Sequence, residues 1–212
     1  MPVRAILLDL DRTLVDLQSS TDYAAALADV QALVGRWDAA DVPDTDWTGP
    51  TQACMSLLHS LLGDPRWHEV SAAIAVHERA AIPQSVPMPT VPETVGRLRA
   101  LPTAVVTLLP IEVATDVLVA NGIGVGPGQP IDLVVGRDAA IRPKPEPDGL
   151  LAACRRLGVP AQDAVMIGDS SWDAGAADRA GVAFIGVPPA AFGPDRHTTE
   201  TFADAVRLAM GE

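Results

Sequence analysis

Two aspartates, Asp9 and Asp11, follow directly on a short apolar run near the start of the chain. The run, Ala5 to Leu8, is apolar at every position, which predicts a strand buried on both faces. Such a strand delivers the residues at its carboxyl end to the place where open α/β sheets bind their ligands. Two carboxylates so close together each need a cation, a proton or a hydrogen-bond donor, because bare like charges destabilise one another. The pair therefore predicts a functional site.

Further polar residues lie where other strands are predicted to end. Thr107 ends one apolar run, Lys144 lies in a proline-rich loop, and Asp169 and Asp173 follow another apolar run. Lys144 is also the only lysine in a chain that otherwise uses arginine. The carboxyl ends of parallel strands share one edge of a sheet, so these side chains are expected to converge on the first two aspartates.

This set of side chains suits phosphoryl transfer. Carboxylates with open positions favour a hard cation such as Mg²⁺, which takes oxygen ligands. A hydroxyl and an ammonium bind phosphate oxygens, and a carboxylate can itself attack phosphorus to form an aspartyl-phosphate. Cation, ammonium and hydroxyl would then share the charge that develops in the reaction. Each residue also has a structural alternative: a turn or helix cap for Asp9 and Asp11, a helix cap for Thr107 and Asp173, and a solvated loop for Lys144.

The elements that must position these residues alternate between strands and helices from residue 91 onwards. This alternation predicts an α/β fold with a doubly wound parallel sheet. Strands are predicted at 104–107, 131–135, 164–167 and 182–186, and helices at 93–100, 111–121, 148–157, 174–180 and 201–210.

The segment between the first strand and this alternation carries no strand signal. Helical periodicity covers 21–36, 51–62 and 66–82, with Thr21 or Ser20 as the expected N-cap of the first helix. Residues 38–50 are predicted to form a solvated loop. We therefore expect a core formed by 1–17 and 86–212 and an all-helical insertion at 18–85. Between 19 and 85 there are nine acidic and three basic residues, which argues mildly against a highly anionic substrate.

Composition narrows the class of protein. The net charge of −12 argues against binding nucleic acid or an anionic membrane by general attraction. No apolar run approaches the ~18 residues that span a bilayer, and the start of the chain lacks the regions of a signal peptide. Cys54 and Cys154 stand outside any metal-binding spacing and are expected to be free, buried thiols. A cytoplasmic location is therefore expected.

Four stretches together resemble the motifs of the haloacid dehalogenase superfamily, in the right order and along the whole chain. They are Asp9-Leu-Asp-Arg-Thr-Leu14, Thr107 at the end of its strand, Lys144-Pro-Glu-Pro147 and Gly168-Asp-Ser-Ser-Trp-Asp173. The resemblance implies a Rossmann-like core, and the helical insertion is placed like the C1 cap of the phosphoglycolate-phosphatase-like branch. A cap over the site would exclude water during the attack on phosphorus.

The resemblance also implies a role for each matched residue. Asp9 would be the nucleophile and a metal ligand. Asp11 would be the general acid and base, with its backbone carbonyl also reaching the metal. Thr107 and Lys144 would hold the transferring phosphoryl group, and Asp169 would be a direct Mg²⁺ ligand.

Three positions refine these expectations. Asp173 would orient Lys144 or a metal-bound water. Arg12 stands where the family often has glycine and is a candidate for substrate contact, the alternative being a solvated or salt-bridged arginine. Leu108 follows Thr107 where asparagine or serine is frequent, so a side-chain hydrogen bond to substrate is lost there.

Asp11 favours a phosphatase over a dehalogenase, because an alkoxide leaving group needs a proton and a halide does not. The expected function is therefore a Mg²⁺-dependent phosphatase of a small phosphorylated metabolite, acting as a monomer or homodimer. Two alternatives remain at this point. One is a phosphomutase that uses the same intermediate, and the other is a catalytically weak protein that binds a phosphorylated ligand.

Overall fold

A five-stranded parallel sheet forms the centre of the structure, a computed structural model that describes residues 3–45, 47, 49–189, 192 and 196–212. The strands of the sheet lie in the order β5-β4-β1-β6-β7, and each neighbouring pair is parallel. The strands of the described residues are β1 (Ala5–Leu8), β2 (Val15–Asp16), β3 (Val86–Pro87), β4 (Thr103–Val106), β5 (Leu133–Val135), β6 (Ala164–Gly168) and β7 (Ala183–Gly186).

Helices cover both faces of this sheet. Side chains alternate along β1, so Ile6 and Leu8 enter one apolar cluster, which includes α5 and α8, while Ala5 and Leu7 enter a second cluster with α6 and α7. All four side chains are fully buried. The α-helices are α1 (Tyr23–Val34), α2 (Pro50–Ser60), α3 (Arg66–Ala81), α4 (Val91–Thr94), α5 (Ile111–Ala120), α6 (Asp148–Leu157), α7 (Ser171–Ala180) and α8 (Phe202–Met210). The predicted α/β fold with a doubly wound parallel sheet is confirmed.

The first three helices pack together over the carboxyl edge of the sheet. They bury a third apolar cluster of their own, built around residues such as Leu57 and Ile74, and Leu108 and Trp172 of the sheet layer pack against it. The chain enters and leaves this helical layer through a two-stranded antiparallel ribbon in which Val15 faces Pro87. The predicted boundaries of the insertion, 18 and 85, lie beside this ribbon, and the division into two domains stays a prediction.

Most predicted helices and strands begin and end within three residues of the observed ones, with one clear exception. The helix predicted at 93–100 ends as an α-helix at Thr94, and Val95–Ala100 continues as 3₁₀ turns. Gly96 contributes to this change, because glycine is a weak helix former. Within the predicted loop 38–50, Asp46 and Thr48 lie outside the described residues.

The predicted N-cap of α1 was wrong. The cap is Asp22, whose carboxylate accepts the backbone N–H of Ala25 at 2.9 Å. An aspartate at this position satisfies an amide that the helix leaves without a partner.

Two other expectations from the sequence can be compared with the structure. Both cysteines, Cys54 and Cys154, are free and buried, as predicted. In the part of the chain that the structure describes, no helix has the length and apolar character needed to cross a bilayer.

A buried ion pair joins the helical layer to the sheet layer. Arg137, beyond β5, donates from Nη1 and Nη2 to the two carboxylate oxygens of Glu78 in α3, at 3.0 and 2.9 Å. Its Nε donates to Ser71 Oγ at 3.1 Å, and Nη1 also donates to the Leu108 carbonyl at 3.2 Å. The side chains of Arg137 and Glu78 are 5% and 0% exposed, so each charge depends on the other for compensation.

We expect Arg137→Met to lower the free energy of unfolding by about 3–5 kcal/mol, because it leaves the Glu78 carboxylate buried and unpaired. Urea denaturation followed by circular dichroism measures the change. The matched control is Arg79→Met, which removes the pair that Arg79 of the same helix makes with Asp116 at 2.9 Å, both about half exposed. That control should cost less than about 1 kcal/mol, and equal losses in the two variants would contradict the expectation.

Candidate active site

The side chains singled out in the sequence meet at the carboxyl edge of the sheet. Asp9, Thr107 and Asp169 each directly follow the last residue of a strand, β1, β4 and β6 respectively. Lys144, from the loop between β5 and α6, and Asp173, in the first turn of α7, lie among them. All five side chains are buried. The parallel sheet therefore brings together residues that are far apart in the sequence.

The ammonium of Lys144 lies at the centre of this group. Its Nζ donates to Asp9 Oδ1 at 2.5 Å, to Asp173 Oδ1 at 2.6 Å and to the Val106 carbonyl at 3.0 Å. An ammonium has three hydrogens, so all three are used. Burial alone would favour the neutral amine, but the carboxylates of Asp173 and Asp9 outweigh it and raise the pKa of Lys144 above its usual value.

Negative charge exceeds positive charge around this ammonium. Burial raises the pKa of Asp9 well above its usual range; Lys144 opposes this effect, and Asp173 and Asp169 add to it. Burial also raises the pKa of Asp169 to about 6, with Asp173 adding to the effect. One carboxylate oxygen from each of Asp9, Asp169 and Asp173 lies within 4.8 Å of the others. Oxygen donors with an excess of negative charge fit a divalent cation.

Asp173 contacts both the first turn of α7 and the ammonium of Lys144. Its Oδ2 accepts the N–H and the O–H of Ser170, at 3.1 and 2.5 Å, while its own N–H donates to Ser170 Oγ. This is a capping box. Gly168 makes room for it, because a Cβ at that position would lie 2.6 Å from Asp173 Cγ. Asp173 was expected either to cap α7 or to orient Lys144, and the structure shows both contacts.

The carboxylate of Asp11 lies outside the acidic group that could hold a metal. Its Oδ1 accepts the backbone N–H groups of Leu17 and Gln18, both at 3.0 Å, where the chain turns towards the helical layer. Burial raises the pKa of Asp11 to about 6, against the lowering effect of these two hydrogen bonds. A carboxyl group in that range can both give and take a proton near neutral pH. The metal contact expected through its backbone carbonyl stays a prediction.

Two threonine hydroxyls lie beside these groups, Thr107 at the cavity and Thr13 buried next to Asp9. Thr107 Oγ1 accepts the N–H of Leu109 at 3.2 Å, and a hydroxyl that accepts still has one hydrogen to donate. Thr13 Oγ1, which is 3.5 Å from Asp9 Oδ2 and buried, donates towards that carboxylate. The sequence pattern had indicated no role for Thr13, although its place four residues after Asp9 was the available signal.

Arg12 lies in the loop between the two strands β1 and β2, with a left-handed backbone at φ +62°. This region favours glycine, because other residues bring Cβ close to the backbone. The side chain is 40% exposed, and Nε lies 3.8 Å from Asp169 Oδ2. The guanidinium is therefore at the mouth of the site beside one of the acidic groups.

A cavity of about 310 Å³ opens above these residues. Its floor includes Asp9, Thr107 and Lys144, and its roof comes from the helical layer. This volume is at the small end of the range for ligand pockets. The roof residues are Tyr23 of α1 and Thr51, Gln52 and Met55 of α2, and no pattern in the sequence had predicted them.

Comparison with known proteins gives a consistent result. A sequence model described as haloacid dehalogenase-like hydrolase matches residues 3–181. The phosphoglycolate phosphatase of Nitrosospira multiformis is 28% identical over 100% of this chain and 94% of its own length. That of Chromobacterium violaceum is 30% identical over 87% of this chain and 85% of its own. The crystal structure of CbbY from Rhodobacter sphaeroides in complex with phosphate has a TM-score of 0.69 at 20% identity, over 99% and 100% of the two chains.

The predicted superfamily, fold and enzyme class are thereby confirmed. The match to the family covers the core strands β1 to β6, the helical layer and the residues of the site, and its full-length relatives are phosphatases. The chain belongs to the haloacid dehalogenase-like hydrolase family, as a phosphoric monoester hydrolase similar to the phosphoglycolate phosphatases.

Proposed function

We propose that this protein is a Mg²⁺-dependent phosphatase that hydrolyses a small phosphomonoester through an aspartyl-phosphate on Asp9. The observation that carries the proposal is the environment of Asp9. Its carboxylate is buried at the end of β1, bonded to the Lys144 ammonium at 2.5 Å and grouped with Asp169. A buried carboxylate beside an ammonium and a second acid is suited to attack phosphorus when a cation shares the charge.

The first half of the reaction forms the aspartyl-phosphate. Asp9 attacks phosphorus, and the hydrogen of Lys144 that was bonded to Asp9 turns to an oxygen of the phosphoryl group. This hydrogen and the Thr107 hydroxyl hold the phosphoryl oxygens and share the developing charge. The protonated carboxyl of Asp11 gives its proton to the leaving alkoxide. Asp173 keeps the ammonium in place through the contact at 2.6 Å.

The second half returns Asp9 to its carboxylate form. Asp11, now ionised, takes a proton from a water molecule, which attacks phosphorus and releases inorganic phosphate. Asp9, Asp169 and the backbone carbonyl of Asp11 would hold the Mg²⁺ ion, which when bound neutralises charge on the phosphoryl oxygens.

The helical segment 18–85 would act as a lid over this chemistry. Its residues Tyr23, Thr51, Gln52 and Met55 roof the cavity, which would limit the access of water to the aspartyl-phosphate. Arg12, at the mouth, would contact the substrate. The small cavity supports a small phosphorylated metabolite as substrate, and the net charge of −12 supports a protein without nucleic-acid or membrane partners. A cytoplasmic monomer or homodimer completes the proposal.

A panel of phosphomonoesters incubated with and without Mg²⁺ tests this function. Release of inorganic phosphate that depends on Mg²⁺ and is lost with a chelator is the expected result. Isomerisation of a phosphorylated compound without phosphate release would instead indicate a phosphomutase. No turnover of any compound by folded protein would exclude the phosphatase.

We expect Asp9→Asn to reduce phosphate release by at least about 10³-fold, because the amide is a poor nucleophile. The thermal midpoint, followed by circular dichroism, should show that the variant is folded. Asp29→Asn is the matched control, since the Asp29 side chain is 64% exposed and its contact is with His77 in the helical layer. That control should retain full activity.

We expect Asp11→Asn to slow the chemistry by about 10²–10⁴-fold, because the amide cannot exchange a proton. Mg²⁺ affinity, measured by titration calorimetry, should be largely retained, since the Asp11 side chain lies outside the acidic group. Asp169→Asn should weaken Mg²⁺ binding strongly. A comparable loss of affinity in both variants would contradict the roles assigned to them.

We expect Arg12→Gly to lower kcat/KM by about tenfold or more, because it removes a cation from the mouth of the site. The free energy of unfolding should stay within about 1 kcal/mol of the wild type, since glycine adopts a positive φ without strain. Thr90→Gly is the matched control, because Thr90 is the other described non-glycine residue with positive φ, at +65°. If both variants keep wild-type kcat/KM, Arg12 is a surface arginine.

A further inference from the structure

The cavity carries its charges on one side. The charged side chains that line it belong to the floor and the mouth, and they are Asp9, Asp11, Arg12, Lys144 and Asp169. The roof side chains, Tyr23, Thr51, Gln52 and Met55, are all neutral. The residues outside the described part of the chain include no lysine, arginine or histidine. A leaving group that extends from the phosphoryl group towards the roof therefore meets neutral groups.

Both cations of the cavity have acidic partners. Lys144 is bonded to Asp9 and Asp173, and the guanidinium of Arg12 is 3.8 Å from Asp169. The phosphoryl group itself brings two negative charges to this side of the cavity. Within the described part of the chain, the cavity thus offers no further cation for a second anionic group at the far end of a substrate.

The hydroxyl of Tyr23, a roof residue, has its single hydrogen bonded to Glu78, which is not among the residues that line the cavity. It donates to Glu78 Oε1 at 3.3 Å, and Glu78 is itself held by two hydrogen bonds from Arg137. Since a carboxylate can only accept, the phenol must donate in this contact. The oxygen of Tyr23 can then only accept a hydrogen bond from another group.

The environment of Tyr23 keeps this hydroxyl neutral. Burial raises the pKa of Tyr23 well above its usual value, and the negative charges of Glu78 and Asp11 raise it further. The guanidinium of Arg137, which is bonded to Glu78, opposes this effect on the pKa of Tyr23. The roof therefore offers the oxygen of Tyr23 as a hydrogen-bond acceptor, and among the described residues it contributes no cation that could bind a carboxylate.

We infer that Tyr23 is a specificity-determining residue that selects a leaving group carrying a neutral hydroxyl and disfavours one carrying a carboxylate. The inference rests on the proposed phosphatase function and names its substrate class: phosphomonoesters of uncharged, hydroxylated alcohols. Glu78, fixed by Arg137, acts as a positioning residue by holding the hydrogen of Tyr23. The substrate of this chain thereby differs from phosphoglycolate, the compound in the names of its relatives, whose leaving group carries a carboxylate.

Three phosphomonoesters that differ only at the far end of a two-carbon leaving group test this inference. They are 2-hydroxyethyl phosphate, ethyl phosphate and phosphoglycolate, which end in a hydroxyl, a methyl group and a carboxylate. We expect kcat/KM to fall in that order, with about tenfold between the first two, the usual effect of one neutral hydrogen bond. Phosphoglycolate hydrolysed as well as or better than 2-hydroxyethyl phosphate would overturn the inference.

Tyr23→Phe isolates the hydroxyl. We expect the variant to lose about tenfold in kcat/KM towards 2-hydroxyethyl phosphate while its activity on ethyl phosphate changes less than about twofold. Ethyl phosphate serves as the internal control, because a structural fault in the variant would lower both activities together. Equal losses on the two compounds, or no loss on either, would refute the role of Tyr23.

Glu78→Gln tests the positioning role. Glutamine keeps the size of the side chain but removes the charge, and its amide can donate to Tyr23 and release the phenol hydrogen towards the cavity. We expect the ratio of kcat/KM for phosphoglycolate to that for 2-hydroxyethyl phosphate to rise severalfold. A folded variant with an unchanged ratio would show that Glu78 only stabilises the fold.

The activated ester p-nitrophenyl phosphate separates failure of this inference from failure of the proposed function. If p-nitrophenyl phosphate is hydrolysed but the order of the three two-carbon compounds is reversed, or none of them is turned over, the substrate class is rejected. The proposed phosphatase function is then retained. No hydrolysis of any of the four compounds by folded protein with Mg²⁺ would reject both.

Discussion

The Lys144 ammonium is the contact on which the arrangement of the site depends. Its three hydrogen bonds join the end of β1, the end of β4 and the first turn of α7. None of these groups is exposed enough for water to replace the ammonium, so removal of the lysine would leave two buried carboxylates facing each other. The strand order therefore matters chemically: β1 lies between β4 and β6, so the end of β1, the end of β4 and the first turn of the helix after β6 reach one ammonium.

The same charges connect local helix geometry to the chemistry. Asp173 caps α7 through Ser170 and at the same time accepts from Lys144. The start of α7 thereby fixes the direction of the lysine, and Gly168 allows the close approach of the helix turn to the strand. A change in the spacing between Gly168 and Asp173 would disturb the helix, the ion pair and the acidic group together. Such coupling explains why this stretch is recognisable in the sequence.

The core and its site were largely predictable because each depends on a local pattern. The apolar run of β1 predicts a buried strand, and parallel strands bring their carboxyl ends to one edge, so Asp9, Thr107 and Asp169 were expected to meet. The roof was not predictable in this way. Tyr23 matched the apolar periodicity of α1, and its contact with Glu78 of α3 depends on how two helices pack against each other. No periodic pattern in the sequence relates Arg137 to Glu78, so their ion pair could not be predicted. The positive φ of Arg12 could not be predicted either, because the turn has arginine where glycine would have indicated that conformation.

The antiparallel ribbon of β2 and β3 places the start and the end of the helical segment side by side, with Val15 opposite Pro87. The chain thus leaves the sheet layer and returns to it at adjacent positions, and the helical segment between the two strands can change in length or sequence with little effect on the closure entropy of the core. During evolution, a helical segment with different roof residues can replace this one while the sheet layer and its acidic residues stay unchanged. At least one substitution has to accompany the exchange, because Arg137 belongs to the sheet layer and its charge requires a partner from the helical layer. Position 137 is therefore expected to vary together with the helical segment among related chains, although it lies far from it in sequence.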